Sequence, residues 1–142
     1  MFSISHLHPM LVHFPIALVM FGFLAELAFL FFKKEVALSK MGYYLLIIGT
    51  LAALAAWLTG NFLTSGMEGA AGKLKETHAL FATITLILLL VTSILQTTFL
   101  VLKNKTTILK TISFILYGGA AISVSITGFL GGTLVYNYMI GL

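Results

Sequence analysis

Long apolar blocks separated by short polar stretches run the length of this 142-residue chain. Four blocks can be delimited, at about 10–32, 41–64, 79–102 and 111–136. Each reaches the roughly 20 apolar residues that a helix needs to cross the hydrocarbon core of a bilayer. The pattern predicts an all-α integral membrane protein, a four-helix bundle that forms a single transmembrane domain over residues 1–142.

The composition agrees with this class and excludes several others. Charged residues make up 8% of the chain, against about a quarter in soluble domains. The lysines behind the net charge of +4 flank the apolar blocks, so the charge does not indicate nucleic-acid binding. The first block lacks the features of a cleaved signal peptide, and we expect it to remain as a span. The absence of cysteine excludes disulfides, iron–sulfur ligation and covalent haem attachment.

The lysines also predict the orientation. The first and third connections carry six of them, namely Lys33, Lys34, Lys40, Lys103, Lys105 and Lys110. The second connection, about 65–77, carries only Lys73 and Lys75. Because short cytoplasmic loops are enriched in lysine, we expect the first and third connections in the cytoplasm and both termini on the outer side.

This topology brings all four histidines, His6, His8, His13 and His78, to the outer side of the membrane. The chain has no cysteine, aspartate or arginine, so imidazole is the leading candidate for any chemistry. A neutral imidazole ligates iron, copper or zinc through one nitrogen while the other is held by a hydrogen bond.

Helical geometry favours one pairing among these histidines. Positions 8 and 13 differ by roughly 140° around a regular helix, and Pro15 interrupts the helical ladder by leaving the Leu11 carbonyl free. Ligands from two different helices of a bundle can approach a planar cofactor from opposite sides. We therefore expect His13 and His78 as axial ligands of a haem iron, with His8 as a substitute ligand or a partner of a haem propionate.

Small residues gather at the same side. Gly60, Gly128, Gly131 and Gly132 either let helices approach closely or leave space for a macrocycle. Tyr136, near the end of the fourth block, is an interfacial anchor by type and a second candidate partner for a propionate.

One acidic residue falls inside an apolar block. Glu26 lies about 11 residues beyond Pro15, roughly 16 Å along a helix, where an ionised carboxylate is costly. We expect it to face the bundle, either protonated or hydrogen-bonded to Thr50, Ser123 or Ser125. A proton path and a structural hydrogen bond are both open interpretations.

The string HPMLVHFPIAL, residues 8–18, resembles the opening of a bacterial membrane-protein family catalogued as domain of unknown function 2231. Glu26, His78 and the terminal string GFLGGTLVY, residues 128–136, also correspond to residues of that family. The chain departs from the family pattern at Phe129, where many relatives have a histidine. The resemblance implies a multi-pass protein of the bacterial inner membrane, with its outer side in the periplasm. The family also looks like a distant cousin of four-helix b-type membrane cytochromes, which implies haem.

The leading hypothesis is thus non-covalent binding of haem b near the outer face, with electrons exchanged with a quinone or a periplasmic redox protein. An electron carrier is favoured over a hydrolase, because no nucleophile motif or HExxH is present. One alternative is a copper or zinc module that uses His6, His8 and His13, with Met10 or Met67. Another is a cofactor-free structural subunit of a larger complex, or a homo-oligomer, in the lipid bilayer.

Overall fold

A computed structural model describes residues 7–103 and 106–139, so His6 lies outside the described residues. The helices are α1 (Leu7–Leu11), α2 (His13–Phe31), α3 (Val36–Phe62), α4 (Gly69–Leu102) and α5 (Thr107–Leu134), followed by a π-helical turn over Val135–Met139. Four candidate membrane spans result, with α1 and α2 together forming the first. The prediction of an all-α membrane bundle is confirmed, and the outward placement of the termini stays a prediction.

The first span is broken near its start, as the proline predicts. A turn at Val12 separates α1 from α2, and the Val12 amide donates to the His8 carbonyl over 3.1 Å. Pro15 is buried at the start of α2, and it has no N–H for the Leu11 carbonyl. Val12 nevertheless keeps helical backbone angles, φ −62° and ψ −22°, so α1 and α2 continue as one membrane span.

Two helices begin earlier than hydropathy predicts. α3 starts at Val36 rather than near 41, and α4 starts at Gly69 rather than near 79. The added residues include Lys73, Lys75 and Glu76, which are polar but good helix formers. His78 therefore lies in the interior of α4 and not in its first turn.

The helices pack as two antiparallel hairpins. α2 packs most extensively on α3, and α4 packs most extensively on α5. The centre of the bundle contains the fully buried side chains of Val19, Leu46, Leu89 and Tyr117. Many large apolar side chains are exposed on the outer faces, as expected where lipid replaces water as the solvent.

Hydroxyl groups link neighbouring helices in the core. Thr50 and Ser93 join α3 to α4 at 2.8 Å, Thr85 and Ser123 join α4 to α5 at 2.8 Å, and the Trp57 indole donates to Thr83 at 2.9 Å. Such bonds stabilise helix association in lipid, where no hydrophobic force drives helices together. They fix the rotation of α4, which carries His78, relative to α3 and α5.

Candidate functional site

Two imidazoles meet at one end of the bundle. His8 on α1 and His78 on α4 have ring centres 6.1 Å apart, and their planes are inclined by 80°. Both residues are half-buried. We call this end, formed by α1, the end of α3, the first part of α4 and the end of α5, the histidine end. The opposite end is the lysine end.

His8 is held by α3. Its Nδ1 lies 3.1 Å from the Thr59 hydroxyl oxygen, and that hydroxyl donates its hydrogen to the Ala56 carbonyl at 3.0 Å. Because a threonine hydroxyl has one hydrogen, the His8 Nδ1–H must be the donor to Thr59. A neutral His8 then carries its free lone pair on Nε2.

His78 is held in the same way by α5. Its Nδ1 lies 3.0 Å from the carbonyl oxygen of Thr127, and a carbonyl can only accept. Nδ1–H is again the donor, which leaves the lone pair on Nε2. The two imidazoles thus present matching nitrogens, each backed by the kind of hydrogen bond that orients metal-ligating histidines.

Each imidazole rests on a glycine of a neighbouring helix. A Cβ at Gly60 would lie 2.9 Å from His8 Cε1, and one at Gly131 would lie 3.0 Å from His78 Cε1. Gly128 instead accommodates Ile16, and a Cβ at Gly132 would meet nothing within 4 Å. Only Gly60 and Gly131 therefore lie against the imidazole pair, and the space they leave is occupied by the rings.

Two other residues expected at the site lie away from the pair. His13, the first residue of α2, is exposed and makes no hydrogen bond to a described residue. The side chain of Tyr136 is 75% exposed, and with Phe129, Gly132 and Thr133 it lines an open groove of about 330 Å³ on the outward surface. The structure thus pairs His78 with His8 and not with His13, because the two positions point in directions roughly 140° apart on a helix and α1 packs on α3 with His8 beside His78.

The sequence pattern indicates no role for two groups around the pair, Thr59 and Lys75. Lys75 lies about one turn before His78 on α4, close enough to act electrostatically on both imidazoles. Its ammonium donates to the Ser65 carbonyl at 2.6 Å. The three-residue spacing of Lys75 and His78 would have indicated this proximity had the segment been recognised as helix.

The imidazole pair has no third protein ligand in the described part of the chain. Within residues 7–103 and 106–139 no three histidine, cysteine or acidic side chains come together to hold a metal ion. Of the ligands named for a copper or zinc site, His6 lies outside those ranges and His13 is exposed.

Glu26 lies far from the histidines, toward the lysine end. Its side chain packs against Gly42 of α3, where a Cβ would lie 2.5 Å from Glu26 Cγ and 2.8 Å from Oε1. It therefore faces the bundle, as predicted. Of the two alternatives for Glu26, the hydrogen bond to Thr50, Ser123 or Ser125 is not formed, because these hydroxyls bond to other groups, and the protonated carboxyl stays a prediction.

Comparison with protein families matches residues 5–142 to a family described as predicted membrane protein (DUF2231). No curated protein and no solved structure matches the chain. The family match agrees with the resemblance of residues 8–18, whereas the likeness to b-type cytochromes stays an expectation.

Proposed function

We propose, from the premise that the chain belongs to the DUF2231 family of predicted membrane proteins, that it binds haem b non-covalently through His8 and His78 and transfers single electrons. The protein has four candidate membrane spans, and the haem would lie at the histidine end of the bundle.

The distance between the two rings supports this proposal most directly. A metal–imidazole bond is about 2 Å long and the ring centre lies about 1 Å beyond the nitrogen, so two imidazoles on opposite sides of one metal have centres about 6 Å apart. The observed separation is 6.1 Å. Both Nδ1 atoms are already engaged as donors, which keeps Nε2 for a metal.

The number of ligands favours haem over a bare ion. Structural zinc takes four protein ligands and catalytic zinc takes three, whereas only two imidazoles meet here among the described residues. A haem would supply the other nitrogens to its own iron, so His8 and His78 would suffice as protein ligands. Lys75, near both rings, is a suitable cation for a haem propionate.

The chain's own residues then have defined tasks. Thr59 and the Thr127 carbonyl hold the imidazoles in one tautomer, while Gly60 and Gly131 give the rings room. A bound haem would supply a one-electron couple. With the lysine-rich connections in the cytoplasm, the histidine end faces the periplasm of a bacterial inner membrane, where a quinone or a periplasmic redox protein can reach it.

The cofactor-free alternative has one observation of its own. Ring contacts between unligated aromatic side chains span about 4.5–7 Å, and 6.1 Å lies in that range. Under this alternative the histidines stabilise the junction between the two hairpins, and the protein is a structural subunit of a larger complex.

Reconstitution with hemin separates these functions. The purified protein in detergent should take up hemin and give a Soret band that shifts on reduction by dithionite. His8→Ala and His78→Ala should each abolish the low-spin spectrum, whereas His13→Ala is the matched control and should retain it. Failure of the wild-type chain to bind hemin would refute the haem proposal, and equal loss in His13→Ala would refute the ligand assignment. Stoichiometric copper or zinc that depends on His8 would favour the metal-binding alternative.

A further inference from the structure

We infer that the lysine end contains a second site, at which the Glu26 carboxyl group takes up and releases a single proton. The site is formed by Glu26, Tyr117 and the backbone of Gly42. We call these three groups the Glu26 cluster. The inference is independent of the haem proposal.

Three helices build the Glu26 cluster. Glu26 of α2 packs on Gly42 of α3, and the Tyr117 hydroxyl of α5 donates to the Gly42 carbonyl at 3.2 Å. Gly22, one turn before Glu26 on α2, leaves the room that the Tyr117 hydroxyl occupies. A carboxyl, a phenol and a backbone carbonyl are therefore collected between α2, α3 and α5.

The hydrogen-bonding capacity of the cluster fits a carboxylic acid better than a carboxylate. The Tyr117 hydroxyl donates its one hydrogen to the Gly42 carbonyl. The Tyr117 oxygen and the Gly42 carbonyl oxygen can therefore only accept further hydrogen bonds. An ionised carboxylate can only accept, whereas a protonated one can also donate. Glu26 makes no hydrogen bond to a described residue that would satisfy an anion.

A second observation marks the same region. The Ser113 hydroxyl, on a residue only 2% exposed, has no hydrogen-bond partner among the described residues. Ser113 precedes Tyr117 by one turn on the same face of α5, nearer the lysine end. An unpartnered buried hydroxyl is costly, and it can both donate to and accept from a proton-carrying group.

The charged groups on the surrounding elements do not neutralise Glu26. Lys40 on α3 and Lys110 on α5 are exposed, and no described lysine forms an ion pair with Glu26. Tyr43, which follows Gly42, bonds to Thr97 on α4 at 3.0 Å. An uncompensated carboxylate within a membrane span is costly, so the group takes up a proton.

The exchange itself is simple. The Glu26 carboxylate accepts one proton from water at the lysine end and becomes a neutral carboxylic acid; release reverses the step. Phe31, the last residue of α2, is five residues away, roughly 8 Å along the helix. Glu26 therefore lies within about one and a half helical turns of the end of α2.

Labelling with dicyclohexylcarbodiimide tests the site on the complete protein in liposomes. This apolar reagent adds to protonated carboxylic acids in apolar surroundings, and mass spectrometry locates the product. We expect modification of Glu26 that falls as the pH is raised, with little modification of the exposed Glu35, Glu68 and Glu76. Sodium ions at constant pH should give no protection. Glu26→Gln should remove the label and Glu76→Gln should leave it.

Three results would overturn the inference. The first is no modification of Glu26 while a carbodiimide-reactive membrane protein in the same liposomes is labelled. The second is protection by sodium, which would make the site a cation site. The third is equal labelling of all four glutamates, which would mean that Glu26 has no special environment. None of these results depends on hemin binding.

Discussion

Replacing Gly131 with alanine should displace the His78 imidazole without touching any ligand atom. The added Cβ would lie 3.0 Å from His78 Cε1, whereas carbon atoms pack best at about 3.5–4.0 Å. The ring must therefore retreat by a few tenths of an ångström. That shift disturbs its 3.0 Å hydrogen bond to the Thr127 carbonyl, since such bonds keep to a narrow range of distances. Overpacking of this kind costs about 1–3 kcal/mol, which corresponds to about a 5- to 150-fold loss of affinity if it falls on ligand binding.

Gly132→Ala is the matched control, because a Cβ there would meet nothing within 4 Å. Both substitutions gain the same helix propensity, about 1 kcal/mol, so their difference isolates the contact with His78. Thermal unfolding in detergent and titration with hemin should both rank Gly131→Ala below Gly132→Ala. If the two variants unfold at the same temperature and bind hemin equally, then Gly131 does not support the ring and the geometry of the site is wrong.

Three further predictions follow from other contacts. Thr59→Val removes the acceptor of the His8 Nδ1–H and should weaken hemin binding by about 0.5–1.5 kcal/mol. Thr133→Val is the control and should leave hemin binding unchanged, because the Thr133 hydroxyl donates within its own helix. A double-mutant cycle on Thr50→Val and Ser93→Ala, measured by unfolding in detergent, should give a coupling of about 0.6 kcal/mol, and zero coupling would mean that their 2.8 Å bond adds nothing. Because the chain has no cysteine, a single cysteine placed in either lysine-rich connection should react with an impermeant maleimide only after the membrane is opened; reaction in intact cells would reverse the orientation.

Hydropathy predicted the number of spans because a helix in lipid must be apolar over its whole crossing. It placed the starts of α3 and α4 too late, because both helices extend beyond the apolar segment that crosses the membrane. Lys73 and Glu76 lie in α4, yet their polarity is equally typical of a loop. Helix propensity would have extended α4 back over Lys73 to Glu76, whereas Gly69 and Gly72 at its start are poor helix formers and give no such signal.

The sequence predicted that His8, His13 and His78 lie at one end of the bundle, and it paired His78 with His13, whereas in the structure the ring beside His78 is that of His8. The rotation between positions 8 and 13 indicated that only one of these histidines can face inward, and His8 does so. Which of the two faces inward depends on how the first span is rotated against its neighbours, which is set by packing on α3 and has no local sequence signal. The glycines were recognised as space-making, but what fills the space depends on the neighbouring helix.

The pairing of the helices also has a consequence for biosynthesis. α1 to α3 carry His8, and α4 with α5 carry His78, so each imidazole arrives with a different hairpin. When only the first hairpin has been inserted into the membrane during synthesis, His8 is present and His78 is not. The two rings come together only when the second hairpin has been inserted and docked, so under the haem proposal cofactor binding would follow the docking of the two hairpins.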